Sequence, residues 1–112
     1  MRDKVLASLG MCRRAGALVC GTPMICKALR ESGKKPQLVI SACDVSDGTH
    51  KKLSDKCSYY EVALVQIDCT CEELAAAVGK SGSLAAVAVT DKNLTDLVRK
   101  NLAENADAKS NR

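Results

Sequence analysis

The feature that most constrains the fold is a series of short apolar runs separated by segments with helical periodicity. The runs are ALVC at 17–20, QLVIS at 37–41, EVALVQI at 61–67 and SLAAVAVT at 83–90. The last three are mostly continuous rather than alternating, which is typical of strands covered on both faces. The sequence therefore predicts an α/β fold, a three-layer α-β-α sandwich with a central, roughly four-stranded mixed sheet.

The segments between these runs supply the helices. Apolar residues recur with helical spacing over 3–14 and 91–104. Shorter helices are expected at 22–32, 46–57 and 71–79.

Two of these shorter helices carry start signals. Ser46 is the expected cap of one, and Thr70 followed by Glu73 has the pattern of a capping box. A chain of 112 residues has room for one core. We expect one domain over 1–104, loops at 31–35 and 79–83, and a polar flexible tail at 105–112.

Charge is distributed unevenly along the chain. Residues 1–56 hold eleven Lys or Arg against five acids, a net +6, whereas residues 57–112 hold six against eight, a net −2. A basic half is typical of a surface that faces a polyanion, although lysines also simply solvate helix faces. Tyr59 and Tyr60 are the only aromatic residues, which disfavours stacking of single-stranded bases on aromatic platforms.

Seven cysteines raise the question of a metal or disulfide site, but their spacing favours neither. No pair has the two-residue gap of a zinc knuckle, and the count is odd. We expect reduced thiols, no cofactor and no metal, with core positions for Cys12, Cys20, Cys26, Cys43 and Cys57. Cys69 and Cys71 are the best exception, because they could chelate a soft metal. His50, the single histidine, is expected to be structural rather than catalytic.

Catalytic and membrane patterns are also missing from the sequence. No nucleophile stands in a recognisable catalytic context. The segment LAAAVGKS at 74–81 ends like a phosphate-binding loop but lacks its first glycine and runs from helix to strand. No apolar run approaches the length of a membrane span. We therefore expect a cytoplasmic protein that is not an enzyme.

The stretch GTPMICK at 21–27 has the composition of a helix start built to receive an anion. A glycine, a hydroxyl residue and a proline precede a helical run, and a lysine follows one turn further in. An ordinary proline-started helix would have the same pattern. These residues alone leave both interpretations open.

Three segments together carry a resemblance to a known family. LGMCRRAGALVCGTPMICKAL, LVISACDVSDGTHKKLSDKC and AAVAVTD are similar, in this order, to the ribosomal proteins of the L7Ae and L30e type, and to their small bacterial relatives above all. The resemblance covers roughly residues 4–103. It implies the same α-β-α fold and binding to kinked RNA helices, notably kink-turns.

By position, GTPMICK corresponds to the family's Gly-Thr-Asn-Glu-x-x-Lys turn. Gly21, Thr22 and Lys27 match, whereas Pro23 and Met24 replace the Asn-Glu pair that contacts base edges in kink-turn binders. Neither replacement can form a proper hydrogen bond to a base. The family's second contact, an apolar loop before the last strand, is here the polar segment 80–83. Arg13 and Arg14 either extend the basic surface or complement the dipole at the end of the first helix.

These observations favour a ribosome-associated protein that binds structured RNA, with ribosomal RNA among the candidates, mainly through shape and phosphate contacts. We expect a monomer with no DNA or membrane partner. Two alternatives remain open: a protein-interaction adaptor that has lost RNA recognition, and a thiol-based metal or redox protein. The expected RNA-binding residues are Gly21, Thr22, Pro23, Met24, Lys27, Arg13, Arg14, Lys80, Ser81 and Gly82.

Overall fold

The computed structural model of the protein describes residues 2–31 and 35–110, and the side chains among them except those of Arg2 and residues 104–110. Helices and strands alternate along the chain. The helices are α1 (Arg2–Arg14), α2 (Thr22–Arg30), α3 (Asp47–Tyr59), α4 (Cys71–Ala77) and α5 (Lys92–Ser110). The strands are β1 (Leu18–Cys20), β2 (Leu38–Ser41), β3 (Ala63–Gln66) and β4 (Ala86–Val89).

The four strands form one mixed sheet in the order β1-β4-β2-β3. Strands β2 and β3 are parallel, whereas β4 runs antiparallel to both of its neighbours, β1 and β2. Each residue of β2 has a partner on both sides, as Ile40 does in Val65 and Val87. The predicted four-stranded mixed sheet is therefore confirmed.

Side chains alternate between the two faces of the sheet, and each face buries its own cluster. Leu38 and Ile40 pack with Val5 and Leu9 of α1, on the face that α4 and α5 also cover. Val39 points the other way and joins Ile25, Leu29 and Leu53, which lie on α2 and α3. Helices thus cover both faces, and the three-layer α-β-α sandwich is confirmed.

The strands are not equally buried, which corrects one expectation. All residues of β2 and β4 are buried, as predicted for strands covered on both faces. Strand β3, however, exposes Ala63 and Gln66 and only half buries the two residues between them. It lies at the edge of the sheet with one neighbour, so its apolar sequence does not translate into full burial.

Both predicted helix caps are present. The Ser46 side chain accepts a hydrogen bond from the backbone N–H of Thr49. Thr70 and Glu73 form the reciprocal capping box: the Thr70 hydroxyl accepts from the Glu73 N–H at 3.1 Å, and the Glu73 carboxylate accepts from the Thr70 N–H at 2.9 Å. These local bonds set where α3 and α4 begin.

The ends of several elements differ from the sequence interpretation: the strands are shorter than expected, α3 ends two residues later at Tyr59, and α4 ends two residues earlier at Ala77. Helix α2 ends at Arg30, two residues before its expected end. Helix α5 runs to Ser110 and so includes most of the segment interpreted as a polar tail. Part of the loop expected at 31–35 and the last two residues of that tail lie outside the described residues.

Strand directions bring four connecting segments to one edge of the sheet. Strands β1, β2 and β3 end at this edge, and β4 begins there, because β4 runs opposite to the others. We call it the loop edge; it comprises residues 21–24, 42–46, 67–70 and 80–85. Two of the segments in which the sequence predicted RNA contacts lie here.

Candidate functional site

The turn at Gly21 connects β1 to α2 through a backbone conformation that only glycine adopts readily. Gly21 is the N-cap of α2, with φ +92° and ψ 145° and no side chain to cap the helix. Its N–H donates to the carbonyl of Ala86 at 3.0 Å, and its own carbonyl accepts from the Ile25 N–H at 3.0 Å. The helix start is thus fixed against β4, and the Thr22 and Met24 amides of its first turn have no partner within the helix, since Pro23 has no N–H.

The first turn of α2 divides its side chains between the core and solvent. Ile25, Cys26 and Leu29 are buried, whereas Pro23, Met24 and Lys27 are exposed. Residues three and four apart on a helix are neighbours, so Lys27 lies beside both Pro23 and Met24.

Thr22 adds an unusual feature to this helix start. Its hydroxyl oxygen is buried and has no hydrogen-bond partner in the structure. A buried hydroxyl without a partner costs about 1–3 kcal/mol. A ligand or water that supplied that bond would recover part of this cost.

Arg13 and Lys80 lie close to the residue that precedes the Gly21 turn. Burial raises the pKa of the half-buried Cys20 thiol, and the positive charges of Arg13 and Lys80 lower it in part. Arg13 also lies beside the loop that carries Lys80, because a Cβ at Gly79 would lie 3.7 Å from its guanidinium. The structure thus brings Arg13, Lys80 and the Gly21 turn, predicted from three separate segments, into one neighbourhood.

Arg13 also has a structural task that the sequence does not reveal. Its guanidinium donates to the Val78 carbonyl at 2.5 Å, at the end of α4. The sequence predicts that Arg13 either extends the basic surface or stabilises the end of α1. In the structure, its guanidinium stabilises the end of α4 instead.

The exposed Arg14 lies beside Arg13 along an open groove of about 520 Å³ between α1 and α4. The helices approach closely here because residue 10 is glycine: a Cβ at that position would lie 2.9 Å from the Ala77 carbonyl oxygen. The guanidinium groups of Arg13 and Arg14 beside this open groove can bind the phosphates of a nucleic-acid backbone.

The loop between α4 and β4 is polar and exposed, as expected. Lys80, Ser81 and Gly82 are all exposed, and Gly82 has a φ of +85°. The loop is anchored after these residues, where the Leu84 N–H donates to the Cys71 carbonyl at 3.0 Å. It therefore presents hydroxyls and an amine at the loop edge, without an apolar surface.

Asp44 is a charged residue of the loop edge that the sequence interpretation missed. Its carboxylate accepts the Cys71 N–H at 2.8 Å and bonds the Cys71 thiol, and these bonds lower the pKa of Asp44. Burial and the hydrogen bond to Asp44 raise the pKa of Cys71 to about 11. A carboxylate three residues after a buried strand was the available signal, because the segments that follow strands gather polar groups at one edge.

The cysteines follow the core interpretation with one error. Cys12, Cys26, Cys57 and Cys69 are buried, and Cys20 and Cys71 are half-buried. The core position expected for Cys43 is wrong: this residue is exposed, because β2 ends two residues earlier and the chain leaves the core there. All seven thiols are free.

The described residues contain neither a metal-binding cluster nor a membrane-spanning helix. Among the side chains that the structure describes, no group of three or more His, Cys, Asp or Glu residues could hold a metal ion. Within the same part of the chain, no helix has the length and apolar character needed to cross a membrane. His50 is exposed on α3.

Comparison with known proteins finds similarity over most of the chain. Residues 3–98 match the sequence profile of the ribosomal protein L7Ae/L30e/S12e/Gadd45 family. The chain is 34% identical over 88 residues to the RNA-binding protein YlxQ of Bacillus subtilis, an alignment that covers 79% of this chain and 84% of YlxQ.

Two solved structures have the same fold. A protein of unknown function from Bacillus halodurans has a TM-score of 0.73 and 31% identity, covering 86% of this chain and 97% of that one. The Giardia lamblia 15.5kD RNA binding protein also has a TM-score of 0.73, with 20% identity over 92% of this chain and 85% of its own. At that identity the second similarity shows the fold alone.

Proposed function

Because the chain belongs to the ribosomal protein L7Ae/L30e/S12e/Gadd45 family, we propose that it is a non-enzymatic RNA-binding protein that binds structured RNA at its loop edge. Its relative YlxQ is named as an RNA-binding protein. Family membership supports the class of ligand. The geometry of the loop edge supports the place and mode of binding.

One observation carries this proposal: Arg13 lies beside the loop that carries Lys80, since a Cβ at Gly79 would lie 3.7 Å from its guanidinium, and that loop leads into β4, to which the glycine turn that opens α2 is bonded. Lys27 adds a third cation on the exposed face of the helix. A helix start and three basic side chains supply the positive charge that attracts a nucleic-acid backbone. Phosphates are thus the groups that this surface binds best.

The same surface is poor in groups that distinguish bases. Pro23 and Met24 occupy the exposed start of α2, and neither can donate or accept a proper hydrogen bond to a base edge. We therefore propose recognition by RNA shape and phosphate position, with only weak binding of a standard kink-turn. Structured ribosomal RNA in the cytoplasm, bound by a monomer, is the partner that fits this mode.

A second candidate function rests on the exposure of the same two residues. Met24 is 53% exposed beside the exposed Pro23. Exposed apolar side chains at a helix start are common in protein contacts. A protein-interaction adaptor that keeps the fold but binds no RNA would use them.

Crosslinking in the protein's own cells, followed by sequencing of the bound RNA, tests the proposal. The native protein should recover a restricted set of structured RNAs, and recovery should fall in Lys27→Gln/Lys80→Gln. Lys92→Gln is the matched control, because Lys92 is exposed and begins α5, just after β4 has ended at the edge of the sheet opposite the loop edge. Recovery of proteins but no RNA would favour the adaptor.

A further inference from the structure

The two tyrosines form a second surface, at the edge of the sheet opposite the loop edge. Helix α3 begins after the end of β2, at the loop edge, and ends at Tyr59, just before β3 begins. The tyrosines therefore lie a helix length away from the Gly21 turn. A ligand at this surface makes contacts independent of that turn.

A well-defined helix end holds this aromatic pair. The Glu61 N–H donates to the Ser58 carbonyl at 3.3 Å, and the Val62 N–H donates to the Cys57 carbonyl at 2.9 Å. Glu61 adopts a φ of +57°, which completes a Schellman motif. Because the chain reverses within this motif, the backbone that carries both rings is fixed.

The two rings differ in burial and make an edge-to-face contact. Their centroids are 4.8 Å apart, with an interplanar angle of 83°. Tyr60 is half-buried and packs against the core, whereas Tyr59 is 79% exposed. Tyr60 therefore supports the Tyr59 ring from the protein side and leaves much of it open to solvent.

Basic residues surround the pair. An open groove of about 560 Å³ is lined by Asp55, Lys56, Tyr59 and Tyr60. The Lys35 amine lies 5.9 Å from the centroid of the Tyr60 ring.

The acids beside this groove do not cancel its lysines. The Asp55 carboxylate forms an ion pair with Lys51 at 3.0 Å. Glu61 is the other acid next to the rings, so Lys35, Lys51 and Lys56 outnumber the two carboxylates. The groove combines an open aromatic ring with a net positive charge.

We propose that this groove binds an unpaired RNA nucleotide, with the base stacked on Tyr59 and its phosphate beside Lys56. A nucleotide can stack its base on the tyrosine ring and place its phosphate beside the lysines, so it uses both features of the groove. An apolar peptide would contact the ring alone. The inference rests on the proposed RNA-binding function and adds a second contact to it. The low aromatic content that disfavoured stacking still permits this single platform, because both rings lie together.

The composition of the protein supplies a direct probe. The chain has no Trp and only two Tyr, so its intrinsic emission comes entirely from this surface. Titration with a short oligoadenylate should quench the tyrosine emission saturably, because a stacked base quenches the ring. Free N-acetyltyrosinamide at equal absorbance corrects for light absorbed by the RNA.

Variants separate this groove from the loop edge. Tyr59→Ala should weaken oligoadenylate binding roughly tenfold, whereas Tyr59→Phe should retain it, because the π face contributes most of the stacking. Quenching should persist in Lys27→Gln/Lys80→Gln. If the proposed function itself is wrong, Lys27→Gln/Lys80→Gln will bind structured RNA as well as the native protein does. That result is independent of the quenching of the tyrosine emission.

Three outcomes would overturn the proposal. One is that the oligonucleotide binds, as followed by anisotropy of a labelled copy, without changing the tyrosine emission. Another is that quenching disappears in Lys27→Gln/Lys80→Gln, which would assign it to the loop edge. The third is that no oligonucleotide binds, which would leave the ring as a protein contact.

Discussion

The backbone N–H of Gly21 donates to the carbonyl of Ala86 at 3.0 Å, which ties the start of α2 to the first residue of β4. The loop that carries Lys80 leads directly into this strand. This bond extends the pairing of β1 with β4, which brings two of the predicted RNA-contact segments to the same edge of the sheet. Disturbing the Gly21 turn should consequently change both stability and RNA binding.

Gly21→Ala should destabilise the protein by about 1–3 kcal/mol, because φ +92° with ψ 145° lies in a region that is essentially restricted to glycine. Steric crowding is not the cause, since a Cβ there would find only the Pro23 Cδ at 4.0 Å. Affinity for structured RNA should fall as well. Urea unfolding and an RNA titration on the same samples measure the two effects.

Gly48→Ala is the matched control for that substitution. Gly48 lies in the first turn of α3, and a Cβ there would meet no atom within 4 Å. Alanine should stabilise this helix by about 0.5 kcal/mol and leave RNA binding unchanged. Equal losses in both variants would contradict the special role of the Gly21 backbone.

How far the sequence predicts this site depends on whether each feature is local. The capping box of Thr70 and Glu73 and the turn at Gly21 are set by neighbours in the chain, so pattern alone indicated them. The bond from Arg13 to the Val78 carbonyl joins residues 65 positions apart. No local pattern contains that information, and the role of Arg13 at the end of α4 required the fold.

Arg13→Ala should lower the free energy of unfolding by about 1 kcal/mol, because the Val78 carbonyl loses a charged donor. It should also weaken RNA binding. Arg14→Ala should weaken RNA binding with little effect on stability, because the bond to the Val78 carbonyl comes from Arg13 and not from Arg14. Thermal unfolding of both variants beside RNA titrations checks the difference; a stability loss in Arg14→Ala as large as in Arg13→Ala would argue against it.

Pro23→Asn/Met24→Glu should raise affinity for a standard kink-turn roughly ten- to a hundredfold, because a good base-reading pair contributes about 1–3 kcal/mol. Loss of the proline should cost the fold little, since it stands in the first turn of α2. Titration of native and variant protein against a kink-turn and a plain duplex measures the gain. No improvement would mean that this helix start does not contact the RNA bases.

Thiol alkylation should follow burial. Cys43 should react first, since it is exposed, and the buried Cys12, Cys26, Cys57 and Cys69 should react only on unfolding. The half-buried Cys71 should react slowly at neutral pH, because its pKa is raised to about 11 and the thiolate is the nucleophile.

The same shift makes stability depend on pH. The folded pKa of Cys71 exceeds the unfolded value of 9.0, so this thiol's contribution is complete below that pH and is lost as the pH rises through about 11. The order in which the cysteines are alkylated is measured by mass spectrometry over time at several pH values. Rapid labelling of Cys71 at neutral pH would contradict this environment.

Burial explains the remaining differences between sequence and structure. Strand β3 is as apolar in sequence as β2, yet it lies at the sheet edge and stays half-exposed. Cys43 follows the buried Ala42 directly but is exposed. Apolar content predicts that a segment reaches the core; strand order and strand ends decide how much of it is covered.

The salt dependence of RNA binding tests the central claim most directly. If Lys27 and Lys80 contact phosphates in one site, binding releases counterions, and log affinity should fall linearly with log salt. Each Lys→Gln substitution should reduce that slope by about 1, and the double variant by about 2, whereas Lys92→Gln, at the opposite edge of the sheet, should leave it unchanged. Native affinity that is insensitive to salt, or a slope that falls equally in the Lys92 variant, would contradict a phosphate-binding site at the loop edge.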